Sequence, residues 1–386
     1  MNIEFSDRLK NLPPYLFVEI DKARRAAVAQ GRDIINLGVG DPDLPTYPHI
    51  VDAMKKAVED GSNHHYAFDN GLPELRQEIA QWFKNRFSVE LNPDTEIYPL
   101  IGSKEGIAHL PLGVINPRDK VLLTEPFYPA YRPFIEFAGG KIVYIPLKVS
   151  NGFLPDLKKV AASNNVRMMI VNYPNNPTAA VATKEFYTEL VRIAREKGII
   201  LVSDLAYSEV YFDGEKPPSI LEVDGAKEVA IEFHSFSKTY NMTGWRIGWA
   251  CGNPTLIAAL ARVKSNCDSG VFQAVQIAAI TALKTDPETI EETRSLYQER
   301  RDYLINGLRS IGWKITPPKA SFYVWAKIPK VFNSSMEAAQ AFLDKADIVA
   351  TPGVGFGQSG EGYIRMTLTV SKERINEAVE RLRKIL

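Results

Sequence analysis

The sequence predicts an α/β fold: a large domain with a mainly parallel sheet covered by helices on both faces, plus a smaller α/β domain. Three observations lead there. From Glu96 to about Cys251 a short apolar run, a polar loop and a helical stretch recur in turn, the pattern of parallel strands joined by crossover helices. At 386 residues the chain exceeds the length at which one hydrophobic core keeps growing, so two units sharing an interface are expected. Beyond Pro254 the pattern turns helical, and shorter strands and helices then alternate to the end. The expected division is an N-terminal arm with part of the small domain over 1–44, a large domain over 45–285 and a small C-terminal domain over 286–386.

Residues 1–35 read as a proline-containing arm, Leu12-Pro13-Pro14-Tyr15, then a helix through Ile20 to Ala29 closed by Gly31. Arms of this kind often lie on a neighbouring molecule. The run Ile34-Ile35-Asn36-Leu37-Gly38-Val39-Gly40-Asp41-Pro42-Asp43-Leu44-Pro45 is a short strand breaking into a loop, whose glycines either turn the chain or let backbone approach a ligand. A helix is expected around Ile50 to Glu59, and a loop from His65 to Arg76 feeds an amphipathic helix ending near Phe87. Five apolar runs follow: Ile97 to Ile101, Val121 to Leu123, Met168 to Val171, Ile199 to Val202 and Val229 to Phe233. Each is succeeded by a polar loop, and in open α/β sheets such loops converge on a crevice beyond the carboxyl ends of the strands. Helices are then expected at Leu256 to Lys264, Phe272 to Leu283 and Pro287 to Ile311, the last a long connection between the two parts. Short strands at Phe322 to Ala326, Ile348 to Ala350 and Tyr363 to Thr369, with helices at Ala338 to Lys345 and Lys372 to Leu386, complete the smaller domain.

Composition narrows the function. Apolar residues make up 45%, charged residues 24%, and the formal net charge is zero, so no basic field for nucleic acid is present. Cys251 and Cys267 are the only cysteines, which excludes a disulfide framework or a four-cysteine zinc site and fits a reducing compartment. The first residues alternate charged with apolar side chains, and no run reaches membrane-spanning length. A cytoplasmic protein that binds no membrane is expected.

The chemistry centres on Ser235-Phe236-Ser237-Lys238-Thr239-Tyr240-Asn241-Met242-Thr243-Gly244-Trp245-Arg246. A lysine whose ammonium is disfavoured by a nearby cation and by burial attacks aldehydes to form a Schiff base. The alternative is a solvated loop in which Lys238 and Arg246 only cap or pair. An aromatic aldehyde carrying a phosphate would give every converging residue a task. Gly102-Ser103-Lys104 opens a helix, where free backbone donors favour an anion, and Ser235, Ser237 and Arg246 meet that anion from the other side. Tyr128 can lie against the ring, Asp204 can hold a protonated ring nitrogen or merely cap a helix, and Asn176 and Tyr207 can bond a ring oxygen. Once an amino acid displaces Lys238, the freed amine is the natural general base.

Other signals carry less. In Tyr363-Ile364-Arg365-Met366-Thr367-Leu368-Thr369 the alternation puts Arg365 on a face with Thr367 and Thr369; the pattern alone favours a solvated charge over a bidentate carboxylate site. Gly353-Val354-Gly355-Phe356-Gly357 is followed by a strand pattern where a dinucleotide site needs a helix. His64-His65 has no acidic partner at ligand spacing, and no metal is expected.

Taken together, Asn175-Asn176-Pro177-Thr178, Asp204-x-Ala206-Tyr207, Ser235-x-Ser237-Lys238 and Arg246 resemble the fold-type I, pyridoxal 5'-phosphate (PLP)-dependent aminotransferases of classes I and II over essentially the whole chain. Within them, Asn36 to Asp43, Gly102 to Ile107 and Asn172 to Val181 most resemble the LL-diaminopimelate aminotransferases in their shorter bacterial form. The resemblance implies a PLP-binding large domain and a homodimer with sites at the subunit boundary. It implies Lys238 as the Schiff-base lysine, Asp204 on the pyridine nitrogen, Asn176 and Tyr207 on the phenolate, and Tyr128 on the ring. Ser103, Lys104, Ser235, Ser237 and Arg246 would hold the phosphate, joined by Tyr66 from the partner. Arg365 and the Gly40 backbone would take the substrate α-carboxylate, with Tyr15, Lys104, Tyr128 and Asn176 as further substrate contacts. The implied reaction is transamination between LL-2,6-diaminopimelate and 2-oxoglutarate on a route to lysine. Aspartate, alanine or aromatic aminotransferase activity, a PLP β-lyase, and a non-catalytic sensor are the other readings, the last expecting a fused helix-turn-helix for which the short arm leaves no room. The chain departs from its relatives at Ala179, where many have glycine, and at Asp268-Ser269-Gly270, where longer diaminopimelate enzymes have an asparagine at the distal end of the substrate.

Overall fold

The computed structural model describes residues 3–10, 12, 16–67 and 70–386, the side chains of residues 16 and 17 excepted. Its strands in chain order are β1 (Ile35–Asn36), β2 (Ile97–Leu100), β3 (Lys120–Glu125), β4 (Lys141–Pro146), β5 (Val166–Asn172), β6 (Ile200–Asp204), β7 (Ala230–Ser235), β8 (Gly248–Gly252), β9 (Tyr323–Lys327), β10 (Ile348–Val349), β11 (Thr351–Pro352) and β12 (Tyr363–Thr367). Seven of them form one sheet in the order β2-β8-β7-β6-β5-β3-β4. Only β8 is antiparallel to its neighbours, so the carboxyl ends of β2, β3, β5, β6 and β7 share one edge.

Two of these strands do not stand out in the sequence. β4 is an edge strand in which only Ile145 is buried, so its apolar residues show no clear inward set. β8 is short and glycine-ended, and returns antiparallel beside β7 after the lysine stretch, which therefore links two adjacent strands.

Alternation along the parallel strands explains the two covered faces, since successive side chains point to opposite sides. Leu122, Met169, Val171 and Leu201 bury one face against helices Pro73–Phe87, Lys184–Lys197 and Gln273–Leu283. Val121, Leu123, Met168, Ile170 and Phe233 bury the other against helices Ser103–Val114 and Pro254–Cys267. Each fully buried side chain of this size contributes about 1.5–3 kcal/mol. Helix limits follow local chemistry: Thr183 caps Lys184–Lys197 by accepting from Phe186 N, and Gly198, at φ 65°, ends it in the left-handed region where glycine is unstrained. A buried carboxylate, Glu232, sits on the first face and is satisfied by Ser203 Oγ at 2.9 Å, Ser219 Oγ at 2.6 Å and Ile220 N at 3.1 Å.

A further core gathers both ends of the chain. Ile35 and Leu37 join Leu304 and Leu308 of the long helix Pro287–Ser310 and Phe322, Ile364, Met366 and Leu382. β1 pairs with β10, and β11-β12-β9 form an antiparallel sheet. Arg300 grips the Asp43 carboxylate with two bonds of 2.7 and 2.9 Å, tying the long helix to the proline-rich loop after β1.

Candidate active site

The five polar loops meet in one cleft of about 300 Å³, closed on its far side by the loop after β1 and by β9 and β12. Lys238 lies in its wall. The stretch folds this way because Ser235 leaves β7 extended, at φ −137°, and accepts from Ser237 N at 3.2 Å, which starts the short helix Phe236–Thr239. Lys238 Nζ is 3.4 Å from Gly40 O and 5.5 Å from the Phe322 ring. Burial lowers its pKa from 10.5 to about 8; Arg246 and Arg365 push the same way, against Asp41 and Asp204. The amine is therefore neutral far more often than a solvent-exposed lysine.

In one part of the cleft a helix start meets an arginine. Ser103 and Lys104 begin helix Ser103–Val114, with Gly102 before them at φ 79°. A Cβ on Gly102 would collide with the Arg246 guanidinium, so glycine lets the arginine lie against the helix start. Ser235 and Ser237 line the same cleft, and Arg246 Nη1 donates to Thr243 O at 2.7 Å.

Asp204 ends β6 with its carboxylate in the cleft wall. Tyr131 donates to Oδ2 at 2.5 Å and Ala206 N to Oδ1 at 3.2 Å. Burial raises the carboxyl pKa and these two donors oppose the rise. The Ala206 bond is the cap-like contact open to this aspartate from sequence, while the other oxygen serves a tyrosine. Tyr131 also packs edge-on against Tyr128, with ring centres 5.5 Å apart. Asn172 orders the neighbouring loop, accepting from Asn176 N at 2.8 Å and donating to Asp204 O at 2.8 Å.

Arg365 departs from its sequence pattern: it is fully buried, not a solvated charge. Both faces of β12 are covered, so the alternation that usually marks an exposed side carries no such meaning here. The guanidinium is held by Asn176 Oδ1 at 2.8 Å and Gly38 O at 2.6 Å and lies 4.1 Å from the centre of the Tyr323 ring. Tyr323 shares a hydrogen bond of 3.1 Å with Tyr207, and burial, then Tyr323, pushes the Tyr207 phenol well up. A Cβ on Gly40 would run into the Tyr323 ring, which explains the glycine there.

Thus Gly40, Ser103, Lys104, Tyr128, Asn176, Asp204, Tyr207, Ser235, Ser237, Lys238, Arg246 and Arg365 all line one cleft. Tyr66 does not: it is 91% exposed on this chain, and Tyr15 lies outside the described residues. Sequence reasoning missed Tyr131, Asn172, Tyr323 and Asp41 as cleft residues. Asp41 lay in a loop read for its glycines and Asn172 in a loop read for Asn176, while Tyr131 and Tyr323 are placed by partners distant in sequence.

The family described as aminotransferase class I and II matches residues 32–382. The chain is 52% identical over 384 residues to an LL-diaminopimelate aminotransferase from Nitratidesulfovibrio vulgaris, covering 99% of each chain, and equally so to one from Aquifex aeolicus. Among solved structures it resembles substrate-bound BacF from Bacillus subtilis, with a TM-score of 0.95 and 39% identity over 100% of this chain and 98% of that one.

Proposed function

The chain belongs to the class I and II aminotransferases, and from that premise we propose that it moves an amino group between LL-2,6-diaminopimelate and 2-oxoglutarate in lysine biosynthesis. The observation that carries the substrate is identity of about half of all positions over nearly the full length of several enzymes of that name.

The cleft fits PLP. It offers an anion end with a helix start, two serines and an arginine, an aromatic wall, a buried carboxylate and, between them, an amine with a lowered pKa. When bound, PLP supplies an aldehyde for the amino group and an electron-withdrawing ring. The rest is the work of the chain. Ser103, Lys104, Ser235, Ser237 and Arg246 would hold the phosphate. Asp204, with one donor on each oxygen, would hold a protonated ring nitrogen. Asn176 gives its amide oxygen to Arg365, which leaves its NH₂ group for the ring oxygen beside Tyr207. Arg365, with its fork set by Gly38 O and Asn176, binds the α-carboxylate. Lys238 Nζ would take the proton from the substrate Cα and deliver it to the carbon that carried the cofactor's aldehyde, a task suited to an amine whose pKa is lowered to about 8.

Residues 45–285 are the cofactor-binding unit in this reading, with 1–44 and 286–386 supplying the opposing wall. A homodimer completes the site, the exposed Tyr66 reaching the phosphate end of the neighbouring subunit's cleft, in the cytoplasm. No helix among the described residues is long and apolar enough to cross a membrane.

The test is a half-reaction panel: PLP-loaded protein is mixed with single amino acids while its absorption is followed. Rapid conversion by LL-diaminopimelate supports the reading. Conversion by aspartate or alanine with silence from diaminopimelate overturns the substrate, and silence from every donor overturns the activity.

A further inference from the structure

Lys264 has none of its surface exposed, yet it lies near the end of helix Pro254–Cys267, outside the cleft. Its ammonium donates to Asp268 Oδ1 and, at 3.0 Å, to Ser269 O, and stands 3.4 Å from Glu105 Oε2. Glu105 belongs to the first turn of helix Ser103–Val114, directly after Ser103 and Lys104. Its Oε2 also accepts from Ile101 N at 2.9 Å, so the carboxylate fastens the backbone on the near side of Gly102. His109 Nδ1 is 2.7 Å from the other oxygen and 3.9 Å from Asp268 Oδ2. Glu105, His109 and Asp268 bring ligand-type atoms within 4.8 Å of one another, and Lys264 pairs with the two carboxylates of this group.

This arrangement solves a conflict at the anion end. Glu105 is well placed to brace the helix start, but a bare carboxylate one turn from a bound phosphate repels it. Glu105 is also mostly, though not fully, withdrawn from water, and a carboxylate so placed is costly without its cation. Lys264 answers both problems, and the same ammonium fixes the beginning of the loop Asp268-Ser269-Gly270.

We propose that Lys264 is a positioning residue for the phosphate cradle: by neutralising and holding Glu105 it lets Ser103, Lys104 and Arg246 face a dianion without opposition. The proposal rests on the PLP reading of the cleft and adds to it a role for a residue that does not touch the ligand.

The experiment measures the affinity of the cofactor-stripped full-length chain for PLP and for pyridoxal, which lacks the phosphate. Unmodified protein that shows no binding of PLP would defeat the underlying reading, whatever the variants do. If it binds, Lys264→Met is expected to weaken PLP about tenfold while changing pyridoxal less than about twofold. Adding Glu105→Gln to that variant removes the opposing charge and keeps an acceptor for Ile101 N, so preference for the phosphorylated ligand should recover most of the way. Equal weakening of both ligands, no weakening of either, or a double variant no better than Lys264→Met would overturn the proposal. Should Lys264→Met fail to fold, Lys264→Arg and Glu105→Gln decide it: both are expected to keep the preference for PLP, and its loss in Lys264→Arg together with Glu105→Gln would contradict a charge-compensating role.

Discussion

Arg365 donates from Nη1 to the amide oxygen of Asn176 at 2.8 Å, joining β12 to the loop behind β5 across the cleft. One side chain thus aims the proposed carboxylate fork and also orients the amide assigned to the ring oxygen. Lysine in its place has no planar fork and reaches neither partner in the same way. Arg365→Lys should raise KM for both amino acid and 2-oxo acid about 10- to 100-fold, with a smaller fall in kcat. Steady-state kinetics checks this; unchanged KM with only a lower melting temperature would make Arg365 a packing residue.

Lys238 titrates near 8 because burial, aided by Arg246 and Arg365, disfavours its charge. Covalent uptake of PLP by the cofactor-free chain should therefore accelerate with pH about a midpoint near 8, where an ordinary lysine would give 10.5. The sign for stability follows from the same shift. The unfolded chain keeps this proton up to its higher pKa, so the cost of the buried charge is fully present below pH 8 and is relieved as pH rises from 8 to 10.5. Lys238→Met should flatten that part of the urea-midpoint profile and abolish turnover.

Gly40 passes so close to Tyr323 that any Cβ must displace the ring. That ring supports Arg365 and shares a hydrogen bond with Tyr207, so Gly40→Ala should cut kcat/KM at least about tenfold while the fold persists. Activity within about twofold of the unmodified chain would show that Tyr323 moves freely.

Ala179 sits at φ 59°, where a Cβ crowds the carbonyl, and its N–H is bonded to Asn175 O at 2.8 Å. Ala179→Gly should stabilise the protein by about 0.5–1 kcal/mol, and Ala179→Val, β-branched at positive φ, should destabilise it by more than that. Urea midpoints read both.

Much of this architecture was legible because its signals are local. The apolar runs of β3, β5, β6 and β7 and the polar loops after them mark a parallel sheet and the edge where the cleft lies from sequence alone, whereas Ser235 to Arg246, taken alone, fits a solvated loop as well as carbonyl chemistry. What escaped depends on distance. Tyr131 looks like one more aromatic at a helix start until its hydroxyl meets Asp204, 73 positions later. Tyr323 acquires meaning from Gly40, Tyr207 and Arg365 on separate segments, and Lys264 from Glu105 on another helix. Arg365 misled because alternation distinguishes faces without saying whether either meets water. β4 was overlooked because an edge strand lacks a fully buried side.

The most direct test joins the amine to its assigned partner. PLP-loaded protein is reduced with borohydride, digested and mapped by mass spectrometry, with and without prior exposure to LL-diaminopimelate. The account predicts a stable pyridoxyl group on Lys238 in the unexposed sample and its disappearance after exposure, as the substrate displaces the lysine. A label on any other residue, or a Lys238 label that diaminopimelate does not diminish, would contradict it.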